Sequence, residues 1–478
     1  MALPDGWEMV IGLEVHTELK TATKLFCGCA NMFGDEPNTN ICPVCLGLPG
    51  ALPVLNERAV ELAMALGFAL HCTVAPSTFH RKNYFYPDMP KDFQISQYDL
   101  PINSNGYLDL PDGSRVGIER AHLEEDTGKS THLGGSGRLQ GADRSLIDYN
   151  RSGVPLVEIV SAPDIRSAAQ ARAYAAELRG ILIATGASDG RMEEGSMRMD
   201  ANVSVRKSGA PYGTRCEIKN LNSLRSLVRA IEYEALRQVE LLEDGGVVRQ
   251  ETRHWDENLG ETSTLRVKEE AEDYRYFREP DLVDLAPSDE WQSRVRAALP
   301  PMPAERRTTL AAKLSDPTEQ QLDAVTLAVD LDLDAYVLFA YAKGVEMPLA
   351  LNRATNELAA SEVGVVNLSP ENFAETLLME QRGELSATQA KTVLSDILAN
   401  GGEPKAVAAA KGFEQLSEDS LVATVTGLIE AHADEWGRYR DGDDKLAQFF
   451  IGQVMKATKG QANGKAVIEI LVQRRAGS

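Results

Sequence analysis

In "VIGLEVHTEL" (residues 10–19), Ile11, Leu13 and Val15 alternate with Gly12, Glu14 and His16. A period of two sends successive side chains to opposite faces of a strand, so this stretch predicts one apolar face and one face holding a carboxylate and an imidazole. The pattern recurs in "DANVSVR" (200–206), where Ala201, Val203 and Val205 oppose Asp200, Asn202 and Ser204, and in "RCEIKN" (215–220), where Glu217 and Lys219 oppose Cys216 and Ile218. Half-apolar strands need a sheet whose core face is covered. Helices interrupt these strands at "SAAQARAYAAELRGILIATG" (167–186) and "SLRSLVRAIEYEALRQVELLEDGG" (223–246), each opening on Ser and closing on Gly. "LAMALGFAL" (62–70) is too short to cross a membrane and is expected to be a buried helix.

After "LPPMPAERR" (299–307) the strand signals stop, and "NGGEPK" (400–405) is a second break. The expected layout is an α+β body over 1–295, a helical connector over 296–405 and a small all-α tail over 406–478. With 478 residues, several domains are expected.

The cysteines come next. Four of the six lie in "FCGCANMFGDEPNTNICPVCLG", with Cys27 and Cys29 one residue apart and Cys42 and Cys45 forming C-x-x-C. Four thiolates so spaced suit tetrahedral Zn²⁺, and two redox pairs or plain buried cysteines are the rival readings. A complete four-sulfur set leaves no open position, so the zinc reading is structural. Such cysteine usage, with no N-terminal secretion signal, fits a cytoplasmic protein without a membrane partner.

The net charge of −22 argues against broad binding to nucleic acid. The C-terminal stretch is the exception: Lys456, Lys459, Lys465, Arg474 and Arg475 stand against Glu469 alone within 449–478, a local phosphate-binding surface or a solvated helix face. "EEDTGKSTH" (124–132) contains GKST but is no phosphate loop, because Leu123 stands where its first glycine must be and three acids crowd it. What remains is a set of carboxylates and imidazoles on polar strand faces: Glu14, His16, Glu124, Glu125, Glu158 and Asp200. Oxygen ligands scattered over several strands suit Mg²⁺ bridging to phosphates, although an acidic protein shows many carboxylates in any case. "FHRKNYFYPDMPKDFQISQYD" (79–99) mixes Arg81, Lys82 and Lys91 with Tyr84, Phe85, Tyr86, Phe93 and Tyr98, which suits an RNA surface, a polar passage or a packed core edge.

Several strings are distinctive together and in this order: "IGLEVHTELKT", "RKNYFYPDMPKDFQISQYD", "HLEEDTGKSTH", "DYNRSGVPLVEIVSAPDIRS", "MEEGSMRMDANVSVR", "GTRCEIKNLNS", "KEEAEDYRYFREPDL" and "GQVMKATKGQAN". From about residue 8 to the C-terminus they resemble the GatB family, the tRNA-binding component of the glutamyl/aspartyl-tRNA amidotransferases. Arg278 departs from the family's usual proline, and the four-cysteine site varies among its members. The resemblance implies a glutamine-synthetase-like cradle with a mixed or antiparallel sheet and a YqeY-like tail. It implies ATP-dependent conversion of misacylated Glu-tRNA(Gln) or Asp-tRNA(Asn) to the amide. An amidase partner would supply the ammonia, and a small third chain would complete a heterotrimer.

Carried over by motif, His16, Glu124 or Glu125, and Glu158 would hold Mg²⁺. Glu14, Ser161, Glu217 and Lys219 would surround ATP. Lys82, Tyr84, Lys91 and Asp200 would belong to an ammonia passage, with Lys82, Asp200 and the paired glutamates catalytic. Lys456, Lys459 and Lys465 would meet tRNA. A non-catalytic tRNA adaptor with a zinc module and a stand-alone ammonia ligase are the alternatives. The scattered acids argue against the first and the basic tail against the second.

Overall fold

The computed structural model describes residues 3–134, 141–267, 274–361, 364–413, 418–458, 462 and 464–476. Two compact units divide between Ala304 and Glu305. The first begins with β1 (Trp7–Glu18), α1 (Glu57–Ala69), β2 (Thr73–Val74), β3 (His80–Asn83), β4 (Phe93–Ser96), β5 (Asn103–Asp109) and β6 (Arg115–Glu125). A hairpin of β7 (Lys129–Leu133) and β8 (Arg144–Asp148) leads to β9 (Pro155–Ser161), α2 (Ala168–Ala184), β10 (Met197–Lys207) and β11 (Cys216–Leu221). Next come α3 (Leu224–Glu243), β12 (Glu251–Asp256), β13 (Glu261–Val267), β14 (Phe277–Arg278) and α4 (Asp289–Ala297).

Among the described residues the main sheet has twelve strands in the order β13-β12-β11-β10-β1-β9-β6-β4-β3-β14, with β5 on β6 and β2 on β5. Every pairing is antiparallel except that of β11 with β12. This is the mixed α+β architecture that the alternating strands imply. The "GKST" segment lies in the β7–β8 hairpin, so no helix follows it to receive a phosphate.

One face of the sheet is closed. Ile11, Leu13 and Val15 of β1 and Ala201, Val203 and Val205 of β10 are buried with Leu62 and Leu66 of α1, Tyr174 and Leu178 of α2, and Leu227 and Ile231 of α3. Each such Val, Leu or Ile side chain contributes about 1.5–3 kcal/mol by leaving water. Ser167 and Ser223 cap α2 and α3 by accepting from Gln170 and Ser226 amides, as their positions in the sequence suggest. The other face is polar and carries the site.

The second unit is helical over its described length, consistent with the loss of strand signals after residue 299. It holds two apolar clusters, one around Val337, Phe373 and Val393 and one around Val425, Phe450 and Val467. No described helix is long and apolar enough to cross a membrane.

Candidate functional site

Register builds the site. On the polar face, His16 of β1 stands opposite Arg198 of β10 on one side and Glu158 of β9 on the other. Glu158 in turn stands opposite His122 of β6, and Glu124 opposite Ser96 of β4. Residues far apart in the chain thus become neighbours in a row across five strands.

The centre of that row is a histidine between two carboxylates. His16 Nε2 lies 3.6 Å from Glu124 Oε1 and 3.6 Å from Glu158 Oε2. His122 Nε2 and Arg120 Nη2 are each 3.6 Å from Glu158 as well. Burial opposes charge on every member, and the outcome depends on neighbours. Burial pulls the His16 imidazole down, but its hydrogen bond and charge contact with Glu158, then Glu124 and Asp200, raise it to about 9. Burial raises Glu158, yet the charges and hydrogen bonding of His122 and His16 hold it well below the usual carboxylate range. Burial dominates at Glu124, which is pushed up, and at His122, which is pushed down to about 4.

The adjacent glutamates part company. Glu124 joins His16 and Glu158, all three within reach of one ion. Glu125 points through to the core side, where it pairs with Lys91 and accepts from the Ile95 amide at 2.9 Å. Alternation along β6 requires opposite faces, and only the register decides which residue goes where.

A second acid group lies beside the first, from Glu14, Asp200 and Glu217. Lys219 Nζ donates to Asp200 Oδ2 at 2.6 Å and lies 3.3 Å from Glu217 Oε1. Asn202 Nδ2 donates to Glu14 at 2.8 Å, and the Thr252 hydroxyl to Glu217 at 2.9 Å. Burial opposes the Lys219 charge, but Asp200 and Glu217 outweigh it and raise its pKa. Ser161 is buried, its hydroxyl accepting from the Leu13 amide at 2.9 Å and donating to the Ala162 carbonyl at 3.0 Å. It orders the β1 main chain beside Glu14 rather than joining the acids.

The residues expected along one passage fall in separate places. Lys82 lies beside the acid centre, where Glu124 overcomes the effect of burial and raises its pKa. Asp200 sits with Lys219, and Lys91 lies beneath the sheet with Glu125. Tyr84 stacks on Tyr86 with centroids 4.6 Å apart. Beneath the sheet a cavity of about 200 Å³ connects Lys91, Glu125 and Phe93 with Cys27 and Cys45. Gly47 seals this contact: its φ is +65°, and a β-carbon there would overlap Lys91.

The four cysteine sulfurs come together without a disulfide, all within 4.8 Å of one another. A tetrahedral zinc with bonds of about 2.3 Å separates its sulfurs by about 3.8 Å, so the donor set fits. A hydrogen bond from Cys27 draws the Cys45 thiol down to about 5, while the same pairing drives Cys27 up. Lys456 lies on a helix from Leu446 to Ala457, while Lys459 and the Lys465 side chain lie outside the described residues.

Sequence patterns did not single out His122, Arg120 or Arg198. The signal was present in "RAHLEE" (120–125), where Arg120, His122 and Glu124 share one face. Their role shows in what they lack. Arg120 Nε, Arg198 Nε and His122 Nδ1 are buried and have no hydrogen-bond partner. Unpaired buried donors are costly and rare, so arginine nitrogens left this way beside two carboxylates fit an anionic ligand carried with a cation, although Arg198 also donates through Nη2 to Asp126 at 2.6 Å.

Comparison with known proteins adds the lineage. Residues 9–293 match the family described as the GatB/GatE catalytic domain, and residues 345–474 match the GatB domain. The chain is 50% identical to the B-type subunit of an aspartyl/glutamyl-tRNA(Asn/Gln) amidotransferase from Frankia casuarinae, covering 98% of this chain and 95% of that protein. Proteins of the same name from Nocardia farcinica and Carboxydothermus hydrogenoformans are 48% and 47% identical, over 98% and 97% of this chain and 95% and 98% of theirs.

Proposed function

The chain belongs to the GatB family, and from that premise we propose that it is the amide-forming component of a tRNA amidotransferase of the cytoplasm. It takes tRNA misacylated with glutamate or aspartate, activates the side-chain carboxylate with ATP, and receives ammonia from an amidase partner. A small third chain completes the heterotrimer. The observation that carries this reading is the acid centre: Glu124 and Glu158 on one histidine, beside buried Nε atoms of Arg120 and Arg198 that have no hydrogen-bond partner.

The chemistry explains the need for such a centre. Ammonia cannot displace oxide from a carboxylate. Transfer of a phosphoryl group to a carboxylate oxygen changes the leaving group to phosphate; ammonia then forms the C–N bond, phosphate departs, and one proton is released. The first step brings two anions together, and Arg120, Arg198 and Lys82 supply the opposing charge. His16, once an entering cation displaces its proton, would hold Mg²⁺ with Glu124 and Glu158, and the ion when bound supplies Lewis-acid neutralisation of phosphoryl oxygens.

Glu14, Asp200, Glu217 and Lys219 would grip the nucleotide on the β10–β11 side, over main chain that Ser161 orders. Asp200 would take the released proton. Lys91, Glu125 and Tyr84 would belong to the route bringing ammonia from the lower face. Lys456, with Lys459 and Lys465, would meet tRNA phosphates. With its amidase and small partner chains, ATP, Mg²⁺ and ammonium, the complex is expected to convert Glu-tRNA(Gln) or Asp-tRNA(Asn) to the amide, read by separating the amino acids released from the RNA. No amide on either tRNA would sink the reading.

Cys27, Cys29, Cys42 and Cys45 would hold one structural Zn²⁺, bracing the loop that follows β1. One zinc per chain is expected by elemental analysis, and Cys45→Ser should lose it and lower the unfolding temperature. A metal-free wild-type chain of full stability would refute this assignment.

A further inference from the structure

A tyrosine stack stands beside the acid centre, on the side away from Glu217 and Lys219. Tyr98 and Tyr276 lie face to face, with ring centroids 4.1 Å apart and planes 11° from parallel. Tyr274 meets Tyr276 edge-on at 6.1 Å, and Lys82 Nζ is 4.9 Å from the Tyr274 ring centroid. Tyr98 follows β4 two residues after Ser96, the partner of Glu124, and Tyr276 immediately precedes edge strand β14. Burial pushes the Tyr276 hydroxyl up to about 12, and the nearby Glu124 and Glu158 add to the rise. In the sheet order the stack stands beyond Glu124 of β6, at the β4-β3-β14 end. Tyr98 ends it, with one face on Tyr276 and 42% of its surface still exposed.

We propose that Tyr98, backed by Tyr276, is the stacking platform for the unpaired terminal nucleobase of the aminoacylated RNA. This rests on the amidation reading above and deepens it. The side-chain carboxylate to be activated has to lie at Glu124 and Glu158, and the same amino acid is esterified through its α-carboxyl to the terminal ribose. Its base is then on the order of 10 Å away, given bonds of about 1.5 Å, so a platform for it has to stand beside the centre rather than in it. An exposed flat ring accepts a base by its π-face without reading its identity, which suits an end common to all tRNAs. Arg275 is exposed beside the stack and suits the preceding phosphate. The adenine of ATP is the competing occupant, but the nucleotide's proposed grip on β10 and β11 lies across the centre from Tyr98.

The test uses the assembled complex and a misacylated tRNA whose terminal adenine is replaced by 2-aminopurine, a base whose fluorescence is quenched by stacking. Binding should quench the wild type. Tyr98→Ala should relieve the quench and raise KM for the aminoacylated tRNA about 5- to 100-fold, with KM for ATP unchanged. Tyr98→Phe should behave as wild type, and Tyr98→Leu serves as the non-aromatic variant if the alanine form does not assemble. Quench and KM untouched in both non-aromatic variants, with amidation intact, would overturn the platform alone. A rise in KM for ATP instead would make the nucleotide its occupant and equally overturn it. Absence of both quench and amide in the wild type would overturn the amidation reading along with the platform.

Discussion

Glu158→Gln is expected to abolish amide formation, by about 10³-fold or more, while glutamine hydrolysis by the amidase partner continues. The substitution keeps the shape of the side chain and removes its charge. Glu158 is the member of the centre that His16, His122 and Arg120 all face, and it is held ionised well below the usual carboxylate range. Neutralisation of phosphoryl oxygens by a bound cation is worth several kcal/mol, and each 1.36 kcal/mol is about tenfold in rate. Glu124→Gln should act alike, and both should weaken Mn²⁺ binding followed by electron paramagnetic resonance. Glu125→Gln, on the opposite face, should leave Mn²⁺ affinity nearly unchanged. Amidation within about tenfold of wild type in the Glu158→Gln complex would remove Glu158 from the centre.

The second large effect concerns stability. Glu234 of α3 is fully buried and takes Arg237 Nη2 at 2.6 Å, Gln238 Nε2 at 2.8 Å and the Thr262 hydroxyl of β13 at 2.8 Å, with Arg253 Nε of β12 at 3.2 Å. It clamps the helix layer onto the far edge of the sheet. Glu234→Ala removes the charge partner of Arg237 and leaves buried Arg253 to Glu251, and should cost about 3 kcal/mol, read as a lower urea midpoint. Glu234→Gln, which keeps the packing, should cost less. Burial raises the Glu234 carboxyl, but Arg237, Gln238 and Thr262 outweigh it and leave the carboxyl below its ordinary value of 4.5. Its contribution is therefore complete above that value and fades as pH falls through the lower folded pKa. The wild type should lose stability over that acid range and Glu234→Gln less so. An unchanged urea midpoint for Glu234→Ala would show that the clamp carries no net stabilisation.

Much of the frame can be read from single elements. Period two in "VIGLEVHTEL" gives β1 and its two faces because side-chain direction in a strand is a local property. The serines at 167 and 223 mark helix starts because a cap satisfies amides of its own first turn. The spacing of Cys27, Cys29, Cys42 and Cys45 announces a four-sulfur cluster because short turns already place each pair. Ser161 shows the limit: its place near Glu14 follows from the motif, but its hydroxyl serves the main chain of a strand 148 residues away.

What the chain's order of residues determined, then, was chemistry and facing: which side chains exist, and which of them share a side of their own strand or helix. The antiparallel register of β6, β9, β1 and β10 decided the rest. It made neighbours of His122, Glu158, His16 and Arg198, sent Glu125 beneath the sheet to Lys91, and set Tyr98 against Tyr276. Pairing between distant strands depends on burying one whole face at once, and a one-residue slip would turn every polar group toward the core. That cost belongs to the assembled sheet and is carried by no single segment.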